Sequence, residues 1–391
     1  MVSCAVLTLV GVEITCWVFF SFNRTKFLFR DPEHYVATVD QIKCSNGNKS
    51  PRYCDMFTTF DAGIGWILEY GTRYDERPGK LSPEEAIMSM FGGSFAVGGG
   101  VADEETASER MSALLGRRVL NFGVSMYSID QAVLLFERKM QEIKTPFAML
   151  ALTTYNIGEL VSVYNRFYYP PSRNAVTKPR FEIREGTLRL LPNPIQRFED
   201  RIKLTDPAFV DRIGELDWWY KRKDLPRFGF PYAGILFNSR FWQQIKFGQE
   251  IHIDENMPTL NDQVLAEPPV SDIAILVLNR FVADARQSGI TPILAILPHD
   301  AEIIRLREGG EYPPVHMMIE SVCAERHWVC LTPLDAIDGI FPGRLKDYLA
   351  PDGHYNAKGE QAMAHWMVAQ LMQRQILPAS LPLHSAATLR P

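Results

Sequence analysis

The sequence lacks an excess of charge of either sign. Its 41 Lys and Arg residues against 46 Asp and Glu residues leave a net charge of −5, and no basic stripe with interleaved aromatic side chains occurs. Nucleic-acid-binding surfaces have such a stripe, so we expect no nucleic-acid partner. Hydrophobic residues make up 46% of the chain and charged residues 22%, which is typical of a globular protein rather than a disordered one.

Motifs for metals and nucleotides are also absent. Cys and His residues nowhere have the spacing of a zinc site, so we predict no metal. Neither G-x-G-x-x-G nor G-x-x-x-x-G-K-[ST] occurs, which argues against a dinucleotide or a P-loop nucleotide, and we predict no cofactor. The G-x-S-x-G elbow of α/β-hydrolases is missing too, because Ala96 stands at its fifth position.

The first 22 residues form an apolar run with one charged residue, Glu13. The run is about as long as a bilayer core requires. No basic residue precedes it and no A-x-A cleavage pattern follows it, so an uncleaved membrane anchor over residues 1–24 is favoured over a signal peptide. A buried core helix is the alternative. Glu13 would cost about 2.5–3.5 kcal/mol if it faced lipid, which leaves two interpretations open: contact with a membrane-protein partner, or protonation.

The side of the membrane is indicated by two conflicting signals. Three basic residues between positions 24 and 30 favour a cytoplasmic body. Cys44 and Cys54 bracket a polar loop that a disulfide could close, which favours an oxidising compartment. Large domains translocate largely regardless of nearby charge, so we expect an extracytoplasmic, periplasmic body. Cys323 and Cys330 lie in apolar surroundings and are predicted to be buried thiols.

Apolar strand candidates alternate with helix candidates in two parts of the chain. Strands are predicted over residues 87–91, 117–123, 147–154, 290–298 and 327–333, and helices over 106–115, 128–143, 272–288, 314–326 and 357–377. Short buried strands separated by helices indicate a parallel sheet covered on both faces. We therefore predict a doubly wound, three-layer α/β/α domain over residues 81–391, preceded by a membrane-proximal segment over residues 25–80.

Residues from about 160 to 265 break this alternation and are rich in aromatic side chains. A structureless loop of this length would be unusual inside a compact domain, so we predict an inserted subdomain. Its aromatic residues form either a small core of their own or a lid over the functional site.

Ser94 is the strongest candidate for a catalytic residue. It directly follows an apolar strand in the sequence FGGSFAVGGG, so its hydroxyl is expected at the carboxyl end of the sheet, where sites of such folds lie. A serine nucleophile needs a base, and the base needs an orienting acid. Asp352 and His354 stand two residues apart in a loop before the last predicted helix and can fill these roles. A turn serine and a solvated turn are the alternatives for these residues.

Two further residues follow predicted strands and can donate hydrogen bonds to an oxyanion. Gly123 offers a backbone N–H and Asn156 offers a side-chain amide. Either residue could instead serve only in a turn. His299 and Asp300 also follow a strand, and we interpret them as a polar loop rather than as site residues.

Four sequence blocks resemble those of the SGNH/GDSL hydrolases, in this order along the chain: FGGSFAVGGG, LNFGVSMYSIDQ, TTYNI and DGHYNAKG. The resemblance covers about residues 85–160 and 270–375. It implies a flavodoxin-like strand order, Ser94 as the nucleophile, His354 as the base and Asp352 as its orienting acid. It also implies an oxyanion hole made of the Ser94 and Gly123 N–H groups and the Asn156 side chain.

The chain departs from the family pattern at three points. Gly-Gly-Ser replaces the common Gly-Asp-Ser, Ile157 follows Asn156 where an Asp is common, and the final block is Asp-x-His, as in the alginate O-acetyltransferase branch. The resemblance implies a serine esterase or O-acyltransferase that acts on an extracytoplasmic ester such as an acylated glycan. The alternative is a non-catalytic accessory subunit of a membrane complex built on the same fold.

Overall fold

A computed structural model describes residues 2–27, 29–43, 58–68, 86–169, 172, 174–222, 226–247, 265–378 and 381. The predicted Cys44–Cys54 disulfide lies outside these residues and stays a prediction. The strands are β1 (Thr58–Asp61), β2 (Gly65–Leu68), β3 (Ala86–Gly92), β4 (Arg118–Gly123), β5 (Phe147–Leu152), β6 (Arg180–Arg184), β7 (Thr187–Leu191), β8 (Thr291–Ile296) and β9 (Val329–Leu331).

The α-helices are α1 (Val2–Phe22), α2 (Val39–Lys43), α3 (Ser94–Val97), α4 (Ala107–Leu115), α5 (Ile129–Lys139), α6 (Thr154–Leu160), α7 (Asn165–Tyr168), α8 (Pro207–Gly214), α9 (Trp218–Arg222), α10 (Ser239–Phe247), α11 (Val270–Gln287), α12 (Asp300–Arg307), α13 (Pro314–Glu325), α14 (Ile337–Ile340) and α15 (Ala357–Gln373). Each predicted helix and strand of the alternating regions forms, and most of the strands and helices are shorter than predicted at one or both ends.

Five parallel strands form the central sheet in the order β4-β3-β5-β8-β9. This is the flavodoxin-like order, in which the chain reverses its direction of winding between β3 and β5. Every residue of β3, β4 and β5 is buried, which explains their almost uninterrupted apolar sequences. The predicted parallel α/β sheet and its strand order are confirmed.

Helices cover both faces of this sheet, because successive strand residues point to opposite faces. Met88 and Met90 of β3 belong to the apolar core that α4 and α15 share. Phe91 points the other way, stacks on Phe122 of β4 with ring centroids 5.0 Å apart, and meets Phe136 of α5 edge-on at 5.4 Å. The sheet is thus the middle layer of three.

The chain divides into two compact units. The first consists of residues 1–46, 162–177 and 194–257, and the second of residues 47–161, 178–193 and 258–391. The second unit contains the central sheet. The predicted insertion over about 160–265 overlaps the first unit, but residues 178–193 within it form the antiparallel hairpin β6–β7 of the second.

The apolar run at the N-terminus forms helix α1, and one stripe of this helix packs against other parts of the first unit. Cys16 and Phe20 are buried in a cluster with Phe29 and Phe241. In the part of the chain that the structure describes, no helix has both the length and the apolarity that crossing a membrane requires. The membrane-crossing part of the prediction for residues 1–24 is therefore not confirmed.

Glu13 has partners within its own unit. Its carboxylate accepts hydrogen bonds from the backbone N–H groups of Tyr232 and Ala233, the latter at 3.0 Å. These two residues begin the 3₁₀-helix Tyr232–Phe237, whose first N–H groups have no acceptor within the helix. A carboxylate at the start of a helix is favourable for this reason.

The prediction that Cys323 and Cys330 are buried thiols is wrong, because the two residues form a disulfide. Cys323 lies in the last turns of α13 and Cys330 in the middle of β9, and the short connection between them brings their Cα atoms to 6.2 Å. This separation is within the range that a disulfide bridges.

Candidate active site

Ser94 lies where β3 ends and the one-turn helix α3 begins, at the carboxyl edge of the sheet. The two residues just before it have to be glycines, because neighbouring atoms leave no space for a side chain there. A Cβ on Gly92 would stand 1.9 Å from the Ala151 carbonyl oxygen of the neighbouring strand, and a Cβ on Gly93 would stand 2.6 Å from the Asn156 amide nitrogen. As the first residue of a helix, Ser94 has an N–H without an intrahelical acceptor.

His354 contacts Ser94 directly, with His354 Nε2 2.8 Å from Ser94 Oγ. The loop before α15 fixes the position of the imidazole. The His354 carbonyl accepts a hydrogen bond from the Ala350 N–H at 2.7 Å, and Gly353 adopts φ +86°, which favours glycine. Asn356 then caps α15 by accepting from the N–H groups two and three residues later.

Asp352 lies on the other side of the imidazole. Its Oδ2 is 3.1 Å from His354 Nδ1, and its Oδ1 accepts a hydrogen bond from the His354 backbone N–H at 3.2 Å. The Nδ1 contact has the distance of an ion pair but not the alignment of a good hydrogen bond. The Asp352 side chain is 62% exposed, so water screens its negative charge. The predicted Ser94–His354–Asp352 sequence of contacts is nevertheless present.

The residues just after Ser94 enclose the imidazole. The Phe95 ring lies against His354 with centroids 4.8 Å apart. A Cβ on Gly99 would meet His354 Cδ2 at 3.7 Å and Ser94 O at 3.4 Å, so this glycine passes close beside the site. Neither residue is singled out by the sequence, although both stand in the Ser94 block.

Asn156 is held rigidly in the first turn of α6. Its Oδ1 accepts hydrogen bonds from the Thr153 N–H at 2.8 Å and the Thr153 hydroxyl at 3.2 Å, and its Nδ2 donates to the Tyr127 carbonyl at 2.6 Å. The side chain is buried and its amide lies next to Gly93. An amide nitrogen carries two hydrogens, and the one not bound to Tyr127 can serve a ligand near Ser94.

Gly123 is close to the Ser94 helix, but its N–H already has an acceptor. A Cβ on Gly123 would stand 2.4 Å from the Val97 nitrogen, which explains the glycine by close packing. Its N–H donates to Asn121 Oδ1 at 2.9 Å. Asn121 in turn donates from its amide to the Ala96 carbonyl at 2.9 Å. In this arrangement Gly123 fixes the shape of the site rather than offering a free donor.

His299 and Asp300 also belong to this end of the sheet, and His299 is buried rather than solvated. Its ring stacks on Tyr155 with centroids 4.2 Å apart, and the Tyr155 hydroxyl is 3.1 Å from His299 Nδ1. The Asp300 carboxylate packs against Gly353, since a Cβ there would stand 3.0 Å from its Oδ2. Asp300 therefore supports the loop that carries His354.

Two acidic residues are buried in the helices α5 and α6, Asp130 and Glu159. Burial raises the pKa of Glu159, one turn after Asn156, to about 8, although the Lys178 charge and a hydrogen bond from the Asn156 side chain act in the opposite direction. Asp130 pairs with Lys178 at 2.7 Å. Burial raises the pKa of Asp130 and lowers that of Lys178, because each loses its hydration. Within the described part of the chain, no group of three or more His, Cys, Asp and Glu side chains has the arrangement of a metal site.

The fold and the site together define a serine-hydrolase-type α/β protein, with a serine, a histidine and an aspartate in successive contact at the carboxyl edge of a parallel sheet. No family model and no curated protein matches the chain. Solved structures do show similarity. A lipolytic protein of the G-D-S-L family from Desulfitobacterium hafniense DCB-2 is 13% identical, with a TM-score of 0.33, covering 73% of this chain and 98% of that one.

A G-D-S-L family lipolytic protein from Veillonella parvula DSM 2008 is 12% identical, with a TM-score of 0.35 and coverage of 73% and 98%. An alpha/beta hydrolase enzyme from the metagenome of Lake Arreo, Spain, is 12% identical, with a TM-score of 0.37 and coverage of 72% and 93%.

Proposed function

We propose that this protein is a serine esterase or O-acyltransferase that works through an acyl-enzyme. The observation that carries the proposal is the 2.8 Å contact between Ser94 Oγ and His354 Nε2, with Asp352 on the opposite ring nitrogen. A carboxylate at Nδ1 favours the tautomer that keeps the proton there and leaves Nε2 free to accept the serine proton. A serine and a histidine with only structural roles would not need this third residue.

In the proposed reaction, Ser94 Oγ attacks the acyl carbonyl while His354 Nε2 takes its proton. The carbonyl oxygen becomes an oxyanion, which the Ser94 N–H and the second N–H of the Asn156 amide stabilise. The tetrahedral intermediate then expels the alcohol, which leaves with the proton from His354, and the acyl group stays on Ser94. Water or an acceptor hydroxyl attacks this ester in the second half, and His354 again transfers the proton.

The proposed substrate is an acyl ester outside the cytoplasm, and the sequence resemblance favours an acylated glycan. The Cys323–Cys330 disulfide supports the oxidising compartment, because disulfides persist mainly outside the cytoplasm. We also propose that residues 1–24 attach the protein to a membrane, which the many exposed apolar side chains of α1 support.

A fluorophosphonate probe tests the proposed chemistry, because it reacts with activated serine nucleophiles. Wild-type protein should be labelled, Ser94→Ala should not, and Ser288→Ala, a change at the serine that directly follows α11, should be labelled like wild type. Circular dichroism should show all three folded. Folded wild-type protein that resists the probe would contradict the proposal and favour the non-catalytic accessory subunit.

A further inference from the structure

The first unit has a surface of exposed apolar side chains that the proposed chemistry does not use. It is formed by residues 226–247, here called the aromatic segment, which include the 3₁₀-helix Tyr232–Phe237 and α10. Phe230 is 82% exposed, Phe237 89% and Trp242 53%. Apolar surface of this kind marks a site of interaction.

Helix α1 in the same unit is apolar around most of its circumference. At 3.6 residues per turn, its exposed apolar side chains point in nearly every direction around the helix axis, and the stripe of Glu13, Cys16 and Phe20 contacts the rest of the unit. The exposed residues include Val6, Leu7, Leu9, Val10, Val12, Ile14, Trp17, Val18, Phe19 and Phe22. A protein partner would cover one face of such a helix, whereas lipid chains can contact all of them.

Two polar side chains in these elements, Thr15 and Trp242, have hydrogen-bond acceptors within the chain, as a lipid environment requires. The Thr15 hydroxyl donates to the carbonyl four residues earlier at 2.8 Å. The indole N–H of Trp242 donates to the Leu236 carbonyl at 2.7 Å, although the side chain is half exposed. Transfer of this indole from water into lipid would therefore leave no N–H without an acceptor.

Helix α1 and the aromatic segment pack together. The Phe241 ring of the segment lies 5.3 Å from Phe20 and also 5.3 Å from Phe27, just beyond the helix. Glu13 is bound by two backbone N–H groups of the segment, of Tyr232 and Ala233. These contacts fix the segment beside the helix. A bilayer that surrounds the helix would therefore also contact the segment.

We propose that the aromatic segment binds a lipid bilayer beside α1, with Phe230, Phe237 and Trp242 at the boundary between headgroups and acyl chains. Aromatic side chains favour this boundary, and helices with an apolar face can lie within it. The proposal rests on the proposed attachment of residues 1–24 to a membrane, but not on the proposed chemistry at Ser94.

Quenching of tryptophan fluorescence tests the proposal with the full chain. Vesicles of phosphatidylcholine and phosphatidylglycerol that carry brominated acyl chains should quench part of the emission. Trp242→Phe should remove a distinct fraction of that quenching, and the matched control Trp366→Phe, in α15, should not. Quenching that Trp17→Phe abolishes and Trp242→Phe leaves unchanged would overturn the proposal while retaining a lipid-bound helix.

Lipid affinity gives an independent readout. In a vesicle titration, the double variant Phe230→Ser/Phe237→Ser should partition into vesicles at least about tenfold more weakly than wild type. The variant lacks the favourable free energy of transferring two aromatic side chains from water into lipid. The control Ile304→Ser/Met317→Ser replaces two half-exposed apolar residues of the second unit and should partition like wild type. Equal partition of the aromatic variant would overturn the proposal. So would self-association without lipid that this variant abolishes, since a second copy would then cover the surface. Labelling of Ser94 stays normal in either case if the proposed chemistry is right.

Discussion

Asn156→Ala should slow catalysis far more than it destabilises the protein. The Asn156 amide lies beside Gly93, and one of its two hydrogens is donated to the Tyr127 carbonyl at 2.6 Å. Loss of one oxyanion donor typically lowers kcat by about 10²–10³. KM should change little, since the interaction strengthens mainly in the transition state.

The same substitution also removes structural hydrogen bonds, and their cost can be separated from the catalytic effect. Asn156 Oδ1 accepts from the Thr153 N–H at the start of α6, and its Nδ2 donates to the Tyr127 carbonyl. Each such hydrogen bond contributes about 0.5–1.5 kcal/mol net. Domains are stable by about 5–15 kcal/mol, so nearly all of the variant should stay folded. Unfolding therefore cannot account for a hundredfold loss of kcat.

The assay measures kcat on a short-chain nitrophenyl ester, the rate of fluorophosphonate labelling, and thermal unfolding by circular dichroism. The labelling rate reports on the site even if the natural acceptor is not water. Thr153→Ala is the matched control, because it removes the 3.2 Å hydroxyl contact to Asn156 but no oxyanion donor. It should lower the melting temperature and leave kcat near the wild-type value.

Asn156→Asp sharpens the test. A carboxylate can still accept the Thr153 N–H, but it places an oxygen near the Tyr127 carbonyl, where the amide now donates at 2.6 Å. It also repels the developing oxyanion, so kcat should fall at least as far as in Asn156→Ala. If both variants melt earlier but keep near-normal kcat and labelling, Asn156 has a structural role only, and the proposed oxyanion hole is wrong.

The sheet and the Ser94–His354–Asp352 contacts could be predicted because their signals are local. The fully buried strand β3 is a short apolar run that ends in two glycines, and parallel strands bring their carboxyl ends to one edge. Ser94 lies at this edge of the sheet, and the loop before the last helix brings His354 to the same edge. The hairpin β6–β7 had a local signal too: Glu185 and Gly186 form its turn with φ of 50° and 72°.

What the sequence could not supply depends on contacts between distant residues or on the orientation of single side chains. Glu13 is bound by the N–H groups of residues more than two hundred positions away. The Gly123 N–H is occupied because it donates to the Oδ1 of Asn121, two residues earlier in the chain. Cys323 and Cys330 could be thiols or a disulfide until the packing of α13 on β9 fixes their separation.

Three further predictions concern packing and charge near the site. Gly93→Ala should lower kcat about as much as Asn156→Ala, because the new Cβ would stand 2.6 Å from the amide nitrogen and displace it; normal kcat in the folded variant would contradict this. Lys178→Met should cost about 3–5 kcal/mol in urea unfolding, because it leaves the Asp130 carboxylate buried alone, and adding Asp130→Leu should restore most of the loss. Glu159→Gln should alter the pH dependence of stability. Because the folded-state pKa of Glu159 is raised to about 8, the folded state retains a proton that the unfolded state releases above about pH 4.3. Wild-type stability should therefore fall between these pH values. The glutamine variant, which cannot ionise, should lose less over the same range, so its stability relative to wild type should rise from pH 4.5 to 8.5 in urea titrations. A difference between the two proteins that does not change with pH would mean that Glu159 titrates normally in the folded state.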